Sequence, residues 1–508
     1  MLLALWLVPA AWCAGPPSAW VPARWDGGPL EVAHRAKDKA LADPVVREAI
    51  SRWYEPATLD LLSGTPVNCL LVTLSAGADP EIEGRQHQLV KEYARAARER
   101  GFAVLGLVYP GADPAAVAAA AQDARLDGLV LEGEFPGGTA FAEQLERTLG
   151  AGKSAAVVIP VAPSGALHRR TAGPVLAVKG NPPGAAKTEN DTVTAGASGG
   201  QWIDSNLWLV RSYRLGPDWR PVWVSQRPSG DSAQVYLRSI ADAAAAGGRW
   251  IVALDDSLRA RLLRKDDGAL AVWRNVASVL KFYEDHADWR SFAPFGNLAI
   301  IPYSTGPNPE IAEEYLNLTA RRHIPYKLID RAQLGSTPLG GFRAVIALTL
   351  APPTDAERKA LFDYAAAGGT VLAGPSWGGA PKDQSYTVVQ AGKGGVAVYR
   401  EEAPDPQTLA RDLFDLLFTE EFGVSVFDAP SVLSYVSTGD AGKRMLIQLV
   451  NYADQPADRI TLWVYENFKT ARLYTPEGAP MDLTPRRSGG RIEIVVPNLR
   501  VCGALLLE

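Results

Sequence analysis

The sequence predicts an α/β protein in three parts: a (β/α)8 barrel, a smaller α/β domain and a C-terminal β-sandwich. Short apolar runs alternate with amphipathic helical stretches from about residue 66 to 288, and a second series runs from about 297 to 400. From about 424 onward, apolar and polar residues alternate in period two between Pro- and Gly-rich turns. The first two patterns are typical of parallel strands covered by helices, and the third is typical of antiparallel strands.

Eight apolar runs are the candidate barrel strands. Most are separated by stretches with helical periodicity, such as EGRQHQLVKEYARAARER. Eight such units over about 220 residues predict a TIM-like (β/α)8 barrel. The chain is helix-poor between the fourth and sixth runs, so a seven-strand count, a distorted barrel and an open doubly wound sheet are the alternatives. The runs are 69–75, 102–110, 127–135, 154–163, 174–180, 191–196, 221–226 and 249–256.

The domain boundaries follow from these patterns. The barrel is predicted over residues 20–290, starting with a loop and one or two packing helices. WRSFAPFGN (289–297) is predicted to be a linker. The α/β domain then occupies residues 296–420 and the sandwich residues 424–508. Because the chain has 508 residues, a division into several cores is expected.

Residues 1–19 combine a short apolar run with small residues, which predicts a signal peptide and export to the periplasm or the outside. A misassigned start or a frayed N-terminus is the alternative, since no Lys or Arg precedes the run. The run is shorter than the ~20 residues that span a bilayer, and no other stretch predicts a membrane span.

Composition excludes several other functions. A net charge of −5 argues against a nucleic-acid partner, which would require a basic patch. The chain has 5 His and neither a CxxC nor an HExxH motif, so neither a metal nor a cofactor is expected. Beyond the leader, Cys69 and Cys502 lie far apart in apolar strands, which predicts buried free thiols.

Acidic residues follow several predicted strands, at the end where barrel enzymes place their working side chains. The third run, DGLVLEGEF, carries Glu132 and Glu134, which would share one face of an extended strand. Asp255 ends the last run, and Asp204 lies in the Gly-rich connection after the sixth. We expect these carboxylates to meet at one rim, beside the candidate substrate-binding residues Trp202, Trp208, Asn206, Lys179, Gln226, Arg227, Asp256 and Asp26.

Paired carboxylates of this kind indicate glycoside hydrolysis. That reaction requires one protonated carboxyl to donate to the leaving oxygen and one ionised partner, a nucleophile or a base. Two acids close together favour a protonated donor. Our hypothesis takes Glu132 or Glu134 as the acid and Asp255, or alternatively Asp204, as nucleophile or base. The substrate would be a poly- or oligosaccharide.

Each candidate also has a structural interpretation. Asp256 and Asp204 each precede a helical stretch and could cap it. Glu134, next to FPGG, could be a solvated loop residue. Glu132 could form an ion pair with Lys179 or Arg227.

Four further candidates are aromatic or precede the predicted barrel strands. RWDGGPLE (24–31) could place Trp25 and Asp26 over the rim, or could be a packing loop. Trp202 and Trp208 are either sugar platforms or core residues.

The segment from 297 to 400 looks like a flavodoxin-type domain. It is similar to the glutamine-amidotransferase-like fold that some glycosidases carry beside their barrel, although GPSWGG (374–379) offers Ser376 and no Cys. LIQLVNYADQPADRITLWV resembles a strand pair in the C-terminal sandwich of many carbohydrate-active enzymes. Together the three parts resemble the family 42 β-galactosidases, which implies a carbohydrate substrate and makes a homo-oligomer a further expectation.

Two motifs of that family are absent. The Asn-Glu pair that follows the fourth strand in those enzymes is missing from VVIPVAPSG (157–165), and no Glu ends the seventh run, PVWVSQRP. The resemblance therefore implies architecture and substrate class only. The alternative functions are a carbohydrate-binding protein on a degenerate barrel, and another barrel enzyme such as an isomerase or an esterase-like hydrolase. The last would require a Ser–His pair, but no His ends a predicted strand.

Overall fold

The computed structural model describes residues 15–151, 156–163, 173–185, 194–195, 200–201, 203–215, 220–228, 230, 232–302, 309–348, 352–418 and 422–508. Residues 1–14 of the predicted leader and the candidate Trp202 lie outside this set. The chain forms two compact units. The first comprises the residues up to Val161 with Thr171–Ala177 and Ile251–Ala277, and the second comprises the rest.

Nine parallel strands form a nearly closed barrel in the order β12-β11-β6-β5-β4-β3-β2-β1-β13. β12 and β13 stand at opposite ends of this order, yet only Ile251 separates them in the chain. They are therefore two pieces of one eighth strand, which confirms the predicted (β/α)8 barrel. The strands are β1 (Pro22–Arg24), β2 (Cys69–Ser75), β3 (Ala103–Val108), β4 (Gly128–Leu131), β5 (Val157–Ala162), β6 (Leu176–Lys179), β11 (Val222–Ser225), β12 (Arg249–Trp250) and β13 (Val252–Ala253).

The strand count corrects the sequence prediction in two places. β1 pairs in parallel with β2 and β13. The sequence predicts a loop there, because three residues that include a Pro show no periodicity. In the predicted sixth run, β8 (Thr194–Ala195) pairs with β9 (Gly200–Gln201) in a separate two-stranded sheet. A second such pair is β7 (Gly184–Ala185) with β10 (Ile203–Asp204). Because β1 is an additional strand at the start of the barrel, DGLVL forms the fourth barrel strand and not the third.

Helices alternate with the barrel strands. Three of them begin at an Asp-Pro step. The Asp side chain accepts a hydrogen bond from a backbone N–H of the first turn, and the Pro lacks the N–H that would otherwise have no partner within the helix. The capping residues are Asp43, Asp79 and Asp113. The helices are α1 (Gly28–His34), α2 (Pro44–Arg52), α3 (Pro80–Glu99), α4 (Pro114–Asp123), α5 (Thr139–Ala151), α6 (Leu207–Tyr213), α7 (Ala233–Ala245), α8 (Asp256–Leu263) and α9 (Asp267–Asp285).

The α/β domain has the strand order β16-β15-β17-β18-β20-β19. Its five parallel strands follow the flavodoxin-like 2-1-3-4-5 order, and β19 is an antiparallel edge strand. The flavodoxin-type prediction is therefore confirmed. The elements are β15 (Leu298–Ile300), α10 (Pro309–Arg321), β16 (Tyr326–Leu328), β17 (Ala344–Ile346), α11 (Asp355–Ala366), β18 (Thr370–Ala373), β19 (Tyr386–Ala391), β20 (Gly394–Tyr399) and α12 (Pro406–Leu416).

The C-terminal region consists of two antiparallel sheets, ordered β14-β22-β23-β29-β25-β26 and β21-β24-β28-β27. Residues from both sheets share one apolar cluster, as expected for the predicted sandwich. β14 lies inside the predicted linker, so that segment belongs to a sheet. The strands are β14 (Ala293–Pro294), β21 (Val424–Phe427), β22 (Val432–Gly439), β23 (Arg444–Asn451), β24 (Ala457–Val464), β25 (Ala471–Tyr474), β26 (Met481–Leu483), β27 (Arg486–Ser488), β28 (Arg491–Leu499) and β29 (Cys502–Leu507).

Cys69 and Cys502 are free and buried, as predicted. Within the described residues, no helix combines the length and the apolar character that crossing a membrane requires.

The loop after β2 is fastened by Glu83 on α3. One carboxylate oxygen accepts the backbone N–H groups of Ala76 (2.9 Å) and Ala78 (3.0 Å), and the other lies 3.4 Å from His87 Nε2. Burial alone would raise the pKa of Glu83, but His87 and the two amides outweigh it and lower the pKa to about 2. The ionised carboxylate therefore stabilises the fold.

Replacing this carboxylate by a neutral amide (Glu83→Gln) should lower the free energy of unfolding by about 1–2 kcal/mol at pH 7. Because the folded-state pKa is depressed, the difference from the unmodified chain should persist above pH 4.5 and shrink as the pH falls towards 2. Denaturant titrations at a series of pH values measure it, with the exposed Glu81→Gln of the same helix as control. A difference independent of pH would contradict this account.

Candidate functional site

Glu132 and Glu134 follow the fourth barrel strand, but they do not continue it. β4 ends at Leu131, four residues before the predicted end, and Gly133 has a φ of +110° that breaks the extended chain. The expectation that both glutamates share one strand face is therefore wrong. The Glu132 side chain is 30% exposed, and Glu134 is an exposed loop residue.

One buried arginine connects the ends of three barrel strands. Arg24 ends β1 and is 5% exposed. Its Nε donates to Asp26 Oδ2 (2.8 Å), its Nη2 donates to the Tyr109 hydroxyl after β3 (2.9 Å), and its Nη1 contacts Glu132 Oε2 after β4. A planar guanidinium can serve three partners at once because its donors point in fixed, divergent directions.

The charges of these groups depend on one another. Burial alone would lower the pKa of Arg24, but Glu132, Tyr109, Asp26 and Glu31 outweigh it and raise the pKa well above its ordinary value. Burial raises the pKa of Tyr109 well above its ordinary value, so its phenol is neutral. Arg24 is therefore a permanent cation in contact with Glu132.

The ion pairs extend from Asp26 to helix α8. Asp26 Oδ1 accepts from Arg259 Nη1 (2.9 Å), and Arg259 also contacts Asp256. The Arg35 guanidinium bridges Asp256 (2.5 Å) and Asp38 (2.7 Å). Burial alone would raise the pKa of Asp256, but Arg35 and Arg259 outweigh it and lower the pKa.

Glu31 on α1 completes the group. Its Oε2 accepts hydrogen bonds from Thr73 Oγ1 (2.8 Å) and the Tyr109 hydroxyl (3.3 Å), and its side chain is fully buried. We call the whole set the arginine network. Its three cations against five anions give a formal charge of −2. The members are Arg24, Arg35, Arg259, Asp26, Glu31, Asp38, Glu132 and Asp256.

Four of the predicted acids thus have defined structural contacts. Asp26 and Asp256 are 2% and 8% exposed and lie in the arginine network. Asp255 accepts from the Ser257 N–H (2.7 Å) and caps α8, so the cap predicted for Asp256 belongs to its neighbour. The ion pair considered as the alternative role for Glu132 exists, and its partner is Arg24.

The remaining candidates lie in the second unit. Asp204 is exposed in β10, and the residue at the N-cap position of α6 is Asn206, so Asp204 does not cap that helix. Trp208 is 7% exposed and belongs to the core. Lys179 and Arg227 are exposed.

Two amide candidates in this unit have internal partners. Asn206 bonds the Asn181 backbone and donates to buried Asp242 (2.8 Å). Gln226 is 8% exposed and donates to Ser239 Oγ (2.8 Å). Both side chains therefore contribute to packing in this unit.

Sequence reasoning missed Arg24, Glu31, Arg259 and the exposed His34, whose ring stacks on Tyr109 at 4.1 Å. The sequence signal that could have revealed them is the high proportion of charged residues in RWDGGPLEVAHR (24–35). The glycines there allow close packing, because a Cβ on Gly28 would lie 2.4 Å from Gln86 Oε1 at a φ of +82°.

Among the described residues, no three His, Cys, Asp or Glu side chains are grouped to hold a metal ion.

No protein-family model and no curated protein sequence matches the chain. Several solved structures do match the chain. α-L-Fucosidase isoenzyme 2 from Paenibacillus thiaminolyticus has a TM-score of 0.60 at 11% identity, covering 89% of this chain and 96% of that one. A catalytic mutant of a family 42 β-galactosidase from G. stearothermophilus has a TM-score of 0.56 at 11% identity, covering 97% and 99%.

A cold-adapted β-galactosidase from Rahnella has a TM-score of 0.55 at 12% identity, also covering 97% and 99%. Identities this low establish the fold alone. The chain has the multidomain architecture of glycoside hydrolases, and the resemblance inferred from domain order is confirmed.

Removing the central cation (Arg24→Met) should lower the free energy of unfolding by about 3–5 kcal/mol, because Glu132 would lose its cationic partner and the buried Asp26 would lose one of its two. Denaturant titration measures this. The control Arg52→Met removes an exposed arginine that also has two acidic partners, and it should change stability little. Equal effects of the two substitutions would contradict a special role for Arg24.

Proposed function

We propose that this chain is a glycoside hydrolase that acts on a poly- or oligosaccharide at the carboxyl end of the fourth barrel strand, with Glu132 as a reacting carboxylate. The observation that carries the proposal is the position of Glu132. It directly follows β4, it is partly exposed, and its carboxylate is held by a buried arginine. A preorganised, accessible carboxylate at this end of a barrel is suited to catalysis.

The corrected strand count supports this assignment. The family 42 β-galactosidases carry an Asn-Glu pair after the fourth strand, and here Leu131-Glu132 occupies that place. VVIPVAPSG (157–165), from which the Asn-Glu pair is missing, contains the fifth strand and not the fourth. Leu131 differs from the expected Asn, so the match is to the Glu alone.

The contacts of Glu132 favour one catalytic role over the other. Arg24 bonds one oxygen of Glu132 and so holds the carboxylate in one orientation, which suits a nucleophile or a base. We therefore assign Glu132 the nucleophile or base role and Glu134, which lies two residues later in the exposed loop, the donor role. This reverses part of the initial hypothesis, in which Asp255 was the ionised partner, because Asp255 caps α8.

A second candidate function is carbohydrate binding without cleavage. The family places a Glu after the seventh strand, and here the seventh strand, β11, is followed by Gln226. An amide in that place cannot serve as nucleophile. Under this alternative, Glu132 would bond sugar hydroxyls and no glycosidic bond would break.

Export is part of the same proposal. The apolar run within residues 1–19 predicts a leader, and a polysaccharide-degrading protein meets its substrate outside the cytoplasm.

The neutral isostere Glu132→Gln should reduce hydrolysis by at least about 1,000-fold, because an amide can neither attack an anomeric carbon nor accept a proton from water. The assay is reducing-sugar release from a panel of galactans, mannans, fucosylated glycans and chromogenic glycosides. The exposed Glu143→Gln on α5 is the matched control and should retain full activity.

Thermal unfolding should change little in Glu132→Gln, since the amide oxygen can still accept from Arg24. Undiminished hydrolysis by Glu132→Gln would remove Glu132 from the mechanism. Binding of a glycan by the unmodified chain, with no hydrolysis of any panel member, would favour the second candidate.

A further inference from the structure

The α/β domain carries a shallow, open cleft of about 270 Å³ beside helix α11. This volume is close to the lower end of the range for small-molecule sites, roughly 300–1,000 Å³. The cleft is lined by Asp355, Arg358, Lys359, Phe362 and Trp377. The first four residues have the spacing i, i+3, i+4, i+7 and therefore share one face of the helix.

Trp377 is held in place by Arg358. It lies in the turn after β18, and Arg358 donates to the backbone carbonyls of Ser376 (2.9 Å) and Trp377. The guanidinium carbon also lies 5.0 Å from the centre of the Trp377 ring. A ring fixed by hydrogen bonds and a cation–π contact loses little further freedom when a ligand stacks on it.

Phe362 is the second ring of the cleft, and it is 48% exposed. The core-facing side of α11 consists of Leu361, Tyr364 and Ala365, so the fold does not bury Phe362. An exposed ring beside a fixed indole forms an apolar platform suited to the C–H face of a sugar ring. Asp355 and Lys359 provide an acceptor and a donor for hydroxyl groups at its edge.

The composition favours a sugar over a second copy of this chain. Three charged side chains surround two rings, whereas the centre of a protein–protein interface is depleted in charge. Trp377 lies in the turn that follows the carboxyl end of β18.

We propose that this cleft is a carbohydrate-binding site, separate from the barrel site, that stacks one sugar residue of a polysaccharide on Trp377 and Phe362. The class of ligand rests on the proposed function, but none of the lining residues belongs to the barrel. Such a site would retain the polymer without taking part in its cleavage.

Affinity electrophoresis of the full chain in native gels containing galactan, mannan, xylan or fucoidan tests the proposal. At least one polysaccharide should retard the unmodified chain, and Trp377→Ala and Phe362→Ala should each raise its dissociation constant about tenfold. Phe418→Ala is the control, because that ring is 73% exposed and lies outside the cleft. Hydrolysis of small chromogenic glycosides should be unchanged in all three variants.

Phe362 lies on an exposed helix face, so Phe362→Ala tests the cleft even if Trp377→Ala fails to fold. Equal retardation of both variants and the unmodified chain would overturn the proposal, and so would the absence of retardation in every gel. A change from oligomer to monomer in sedimentation of Phe362→Ala, without any retardation, would assign the cleft to a second copy instead. If Glu132→Gln retains full hydrolysis while Trp377→Ala loses retardation, the proposed mechanism fails and the cleft stands.

Discussion

The contact of Arg24 with Asp26, Tyr109 and Glu132 is the interaction on which the candidate site depends. It joins the ends of the first, third and fourth barrel strands through one buried side chain. A buried cation is tolerated only where carboxylates compensate it, and here Asp26, Glu31 and the partly exposed Glu132 share that compensation. The arginine that stabilises these strand ends therefore also positions the carboxylate assigned to the proposed chemistry.

The arginine network also accounts for why other predicted acids have different roles. Asp26 and Asp256 neutralise Arg24, Arg259 and Arg35, and their oxygens are bonded within the fold. Supporting residues that are themselves fixed hold a reacting group in place more accurately than a flexible loop would. In this arrangement Asp26 fixes Arg24, and Arg24 orients Glu132.

Most of the fold was predictable from sequence because apolar runs of six to ten residues indicate buried strands directly. β1 was not, since Pro22–Arg24 is too short for periodicity and gains its partners only when the barrel closes. That omission moved the strand count by one and hid the position of Glu132. The network was equally inaccessible, because its ion pairs link residues up to 233 positions apart. The break at Gly133 is a backbone φ that sequence does not specify.

A double-mutant cycle between Arg24 and Glu132 tests the central claim most directly. The free energy of unfolding is measured for the unmodified chain, Arg24→Met, Glu132→Ala and the double variant, because Ala removes the acceptor that Gln would retain. If the two side chains are coupled as described, the double variant should be more stable than the sum of the single effects implies, by about 1–3 kcal/mol. Effects that add within about 0.5 kcal/mol would show that Arg24 does not hold Glu132, and the assigned site would lose its basis.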